Sequence, residues 1–171
     1  MDLKDNVFVK KEEHYLNKFG FITIDKNQTN TPASGVGIST YSTNLKLEFN
    51  KSVWNIKIDS QRLQITNNQY RHLSGSISNN ELLKDFKIKT KSNFLSFFLD
   101  SSILSNFYEV QGNDIFKSKL LKVKQLLLEL RDKEVEIKNI NGELTFSFYF
   151  NSYFNDKYYD YVYEILKEIT C

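Results

Sequence analysis

The two histidines, His14 and His72, and the single cysteine, Cys171, are the residues from which catalysis or metal binding would most naturally be built. Neither histidine stands in an HExxH or HxH spacing, so a metal site would need carboxylates for most of its ligands. Glu12-Glu13-His14 reads instead as a solvated helix face. Chain order permits a Ser-His-Asp arrangement, but there is no Gly-x-Ser-x-Gly elbow, and Leu73-Ser74-Gly75-Ser76 only echoes one. Cys171 has no base fixed beside it that would make its thiol a nucleophile. Gly35-Val36-Gly37 is too short for a dinucleotide fingerprint and leads into an alternating strand, so it reads as a turn. No cofactor and no metal are expected. The carboxylates Glu81, Asp85, Glu109 and Asp114 keep a metal-dependent hydrolase or nuclease as a third reading, though their spacing names no mechanism.

Binding chemistry is better represented. Arg71-His72-Leu73-Ser74-Gly75-Ser76 gathers a cation, an imidazole and two hydroxyls beside a glycine, the ingredients of a small anion site, in a stretch that otherwise reads as an exposed connector. Lys117, Lys119, Lys122 and Lys124 crowd one predicted helix and would add to such a site if they shared a face. Toward the end of the chain, Tyr153, Phe154, Tyr158, Tyr159, Tyr161 and Tyr163 are too many for one core-facing stripe at helical spacing. Tyrosines left at a surface are typical interface anchors, which makes Tyr158, Tyr159, Tyr161 and Tyr163 the candidate partner-binding residues.

The elements that must carry these residues follow from periodicity. A helix over 5–18 is expected at the N-terminus, then a short strand over 21–25 and a long polar loop over 26–37. From Ile38 onward, Leu45/Leu47/Phe49, Val53/Trp54/Ile56/Ile58 and Leu63/Ile65 alternate with polar residues and predict an antiparallel meander, turning at Asn50-Lys51-Ser52 and Asp59-Ser60-Gln61. Residues 67–80 read as irregular and Phe86/Ile88/Thr90 as a strand, while 93–104 is an apolar stretch whose pattern does not choose between helix and strand. Phe116, Leu120, Val123, Leu127 and Leu130 predict a helix over 114–131, capped by Asn113 or Asp114, with Leu121, Leu126 and Leu128 widening the stripe. Val135/Ile137 and Leu144/Phe146/Phe148/Phe150 flank Asn141-Gly142, a strong hairpin signal. Asp156 is placed to cap a closing helix with Tyr158, Val162, Ile165 and Ile169 on one face. The class expected is α+β: an antiparallel sheet, meander plus C-terminal hairpin, with helices packed on it and a helix–hairpin–helix C-terminal half, as a single domain over 1–171.

Composition bounds the function. With 40% hydrophobic and 26% charged residues among 171, the chain lies far from the disordered regime. A net charge of +2 makes no global footprint for a polyanion, and Arg62, Arg71 and Arg131 are the only arginines, so nucleic acid is possible but not favoured. The lone cysteine fits a reducing compartment, and neither an export signal nor a membrane span is visible, which points to the cytoplasm.

Two sequence words and the two elements after them add a resemblance. Phe86-Lys87-Ile88-Lys89-Thr90-Lys91-Ser92-Asn93-Phe94, then Phe107-Tyr108-Glu109-Val110-Gln111-Gly112-Asn113-Asp114, then the leucine helix and the aromatic hairpin, resemble over residues 86–169 an uncharacterised bacterial cytosolic domain family whose members often follow N-terminal membrane helices. The resemblance implies a bacterial origin and carries no active site. The leading expectation is a non-enzymatic protein–protein interaction module that sequesters a partner, acts as an immunity-type inhibitor or self-associates. The alternative is a local anion or nucleic-acid binder using Arg71, His72, Ser74 and Lys117–Lys124.

Overall fold

Period-2 alternation sets the architecture. In the computed structural model, which describes residues 22–32, 38–49, 52–63, 69–78, 84–91, 100, 102–150 and 157–170, the chain runs β1 (Ile22–Pro32), β2 (Ile38–Phe49), β3 (Ser52–Leu63), β4 (Gln69–Ser78), β5 (Phe86–Thr90), α1 (Leu104–Phe107), β6 (Tyr108–Gln111), α2 (Asp114–Lys122), α3 (Lys124–Glu129), β7 (Glu134–Ile140), β8 (Glu143–Phe150) and α4 (Lys157–Thr170). The strands form one antiparallel eight-stranded sheet in the order β1-β2-β3-β4-β8-β7-β5-β6. The class is α+β.

On one face of the sheet Leu45 and Leu47, Trp54, Ile56 and Ile58, Leu73 and Ile77, Phe146 and Phe148, Val135 and Ile137, and Ile88 are buried in a single cluster with α2, α3 and α4. The intervening residues point the other way and stay at least partly exposed, the division expected of an antiparallel sheet covered on one side. Gly75 is central to this register. It lies between Ile56 and Phe146, and a Cβ there would sit 2.1 Å from the Asn55 carbonyl oxygen and 2.7 Å from Phe146 Cζ. The β7–β8 turn is set by Asn141 and Gly142, whose positive φ values of 54° and 80° belong to a two-residue hairpin loop.

Several expectations change. Residues 26–32 are not loop: β1 continues to Pro32, each polar residue from Lys26 onward paired with β2. A solvated strand needs backbone partners rather than apolar side chains, so the missing hydrophobics gave no sign of it. Asp59-Ser60-Gln61 is not a turn either, because β3 runs through it, paired with β2 on one side and β4 on the other. The expected helix over 114–131 is broken at Val123, whose φ of −102° and ψ of 7° separate α2 from α3. Leu121, before the break, is exposed, whereas Leu127 and Leu128 beyond it are buried. Asn113 does cap α2, its side chain accepting from the Phe116 amide at 2.8 Å. The predicted helix over 5–18, Asp156, Glu81 and Cys171 lie outside the described residues. Among those described, no helix is long and apolar enough to cross a membrane.

Candidate functional site

The Arg71–Ser76 stretch is not a connector; it is the middle of β4. Successive side chains of a strand point to opposite faces, so Arg71 and His72 cannot join in one anion site. Arg71 is 5% exposed, and its guanidinium donates to the Tyr159 hydroxyl at 2.6 Å within the core. His72 and Ser74 lie on the open face. The lysines belong to the opposite layer with the helices. Lys117 pairs with Asp114 at 3.3 Å, Lys119 donates to the Ile169 carbonyl at 3.3 Å, and Lys122 pairs with Glu168 at 2.7 Å. Lys124 borders a hollow shared with Ser102, Gln125 and Arg131. The lysines therefore mostly stitch α2 to itself and to α4, and the sheet separates them from His72 and Ser74.

The nominated tyrosines divide as well. Tyr159 and Tyr163 are 2% and 1% exposed, their rings 6.4 Å apart, so they are core residues and not surface anchors. Spacing explains this, since positions 159, 162, 163, 166 and 169 form one stripe along α4 and all are buried. Tyr158 and Tyr161 are half-buried, and Tyr158 stacks on Phe150 at 5.4 Å. Lys133 and Lys157 approach the Tyr158 ring at 5.5 and 5.9 Å. These two tyrosines face each other and their cations at the edge of the core.

The side chains that do converge lie on the open face. The tight β7–β8 turn places Glu134 opposite Tyr149 and Glu136 opposite Ser147. The β4–β8 pairing then sets His72 opposite Tyr149 and Ser74 opposite Ser147. His72 leans diagonally across this register, bringing Nε2 to 2.8 Å from Ser147 Oγ, with the Tyr149 ring edge-on at 6.1 Å. Diagonal contacts of this kind lie within reach of long side chains on a twisted sheet. On β5, Lys89 stands opposite Glu136, their charged groups 4.0 Å apart. His72, Ser147, Tyr149, Lys89, Lys91, Glu134 and Glu136 line an open hollow of about 530 Å³.

Several charges of this face come in opposed pairs. Lys57 meets Asp59 at 2.9 Å and Lys87 meets Glu109 at 4.0 Å, beside the Lys89–Glu136 contact. Among the described residues no three of His, Cys, Asp and Glu come together as metal ligands. Asp85 accepts from the Asn141 amide at 3.0 Å and helps hold the hairpin, whereas Asp114 is exposed at the start of α2. Ser147 and Tyr149 were missed in the sequence because they read only as the polar half of an alternating strand. No family model, no curated protein and no solved structure matches this chain.

Proposed function

We propose that the chain is an interaction module that docks another protein on the open face of its sheet. The observation that carries this reading is the convergence of His72, Ser147, Tyr149, Lys89 and Glu136 in a hollow on a face that no described helix covers. The occupant that fits is a protein surface carrying both signs of charge. A polyanion approaching Lys57, Lys87 or Lys89 would meet Asp59, Glu109 or Glu136 beside it, whereas a mixed-charge protein surface can exchange partners with each pair. The separation of His72 from the helix lysines removes the main support for the anion reading.

The test is capture from the native lysate with mass identification, using the wild-type chain and two charge-reversed variants. Lys57→Glu combined with Lys89→Glu changes the open face, and Lys117→Glu changes the helix layer. A partner held by wild type and Lys117→Glu but lost with the open-face pair is the expected result. Equal capture by all three, no capture at all, or a second copy of this chain as the sole occupant would each overturn the reading.

A further inference from the structure

We infer that Ser147 is an acyl acceptor activated by His72. The 2.8 Å contact joins the hydroxyl oxygen to the distal imidazole nitrogen, the geometry in which a base takes the proton of an attacking hydroxyl. With its own proton on Nδ1, His72 offers the Nε2 lone pair to Ser147. Asp59 stands directly across from His72 on β3. Lys57 holds that carboxylate in place at 2.9 Å. Carboxylate, imidazole and hydroxyl thus follow one another over β3, β4 and β8 on one face, and the hydroxyl opens into a hollow that also holds Lys89.

The ligand class is a small carboxylic ester with a good leaving group. Ser147 Oγ bonds to the acyl carbon, the Oγ proton passes to His72 Nε2 and then to water, the bond to the leaving oxygen breaks, and the alkoxide or aryloxide departs. The reaction is expected to stop there. Ser147 lies between β4 and β7, where the surrounding backbone N–H groups are committed to the ladder, so among the described residues no paired backbone donors face an oxyanion. The structure supports stoichiometric acylation and not turnover.

Ser74 supplies an internal control, since it faces the same side opposite Ser147 but among the described residues has no imidazole contact of its own. The experiment treats the full chain with p-nitrophenyl acetate, follows p-nitrophenolate release, and maps the acetyl group by peptide mass. The expected result is a burst approaching one equivalent with the adduct on Ser147 and none on Ser74. Ser147→Ala should abolish that adduct, and His72→Gln should slow it by about 10²-fold, each variant first shown to melt as wild type does. Acetyl groups confined to lysines, or Ser147 labelling unchanged in His72→Gln, would overturn the inference. The assay contains no partner protein, so its failure is separate from failure of the docking proposal.

Discussion

Arg71 and His72 are consecutive residues of one strand, yet one reaches Tyr159 in the core at 2.6 Å and the other reaches Ser147 on the open face at 2.8 Å. Tyr159 and Ser147 lie 88 and 75 positions further along the chain. Adjacency in a strand is therefore a means of separation, and a motif of consecutive residues in β4 cannot act as a unit. The two sides also differ in what a lost contact costs. A polar group removed in the core leaves its partner without water, whereas on the open face solvent replaces it.

The largest effect should come from the residue that holds both sides in register. Gly75→Val places a branched side chain where even a Cβ would lie 2.1 Å from a backbone oxygen and 2.7 Å from Phe146. Neither β3 nor the Phe146 ring can yield without disturbing the core, so the variant should lose about 3 kcal/mol or more. Urea unfolding would show little folded protein; a midpoint near that of wild type would mean that the sheet does not pack as described.

A smaller and more selective break is Tyr159→Phe. It removes a hydrogen bond to a buried guanidinium, and bonds to charged groups contribute about 1.5–3 kcal/mol. Tyr149→Phe removes a hydroxyl at the open hollow and should shift stability by about 0.5 kcal/mol or less. Equal effects from the two changes would erase the contrast between the faces.

Much of this arrangement was legible in the sequence where burial imposes a period. The alternation through Leu144, Phe146, Phe148 and Phe150 around Asn141-Gly142 marked the hairpin, and Leu45/Leu47 with Ile56/Ile58 marked β2 and β3. Polar strands were not legible in the same way, because Asn27–Pro32 owes its structure to pairing with β2, and Arg71–Ser76 to β3 and β8 on either side, and not to their own side chains. The site was legible only in part. His72 and Ser74 stood out beside a glycine, but Ser147, Tyr149 and Glu136 acquire meaning only when the β4–β8–β7 register is known. The closing-helix tyrosines were conspicuous by number, although helical spacing turns Tyr159 and Tyr163 inward.

A third prediction extends the contrast to pH. Tyr108 is buried and donates to the Leu127 carbonyl at 2.8 Å, joining β6 to α3. Burial raises its phenol well above the ordinary value, Asp132 adds to the rise, and Arg131 opposes it. The folded-state pKa is thus higher than the unfolded one, and above about pH 10 the unfolded chain releases a proton that the folded chain keeps. The resulting stability is fully present below that pH and is lost as pH climbs toward the folded pKa, by about 1.4 kcal/mol per unit. Tyr108→Phe should cost about 1 kcal/mol at neutral pH. The gap from wild type should close within about one pH unit above 10, as urea midpoints taken from pH 8 to pH 11 would show. A constant gap would mean that the phenol ionises equally well in both states.

The smallest stability effects belong to the residues given the most chemistry. His72 and Ser147 are half-buried and satisfy each other across two strands. Removing either leaves the other beside solvent, so His72→Ala and Ser147→Ala should each change unfolding free energy by about 0.5 kcal/mol or less. Their double-mutant cycle should show a coupling of similar size, since the contact has water on one side. A coupling of about 2 kcal/mol would place the pair among the buried interactions. It would make His72–Ser147 a structural clasp between β4 and β8, like Arg71–Tyr159 on the other face, and leave the open hollow without its chemistry.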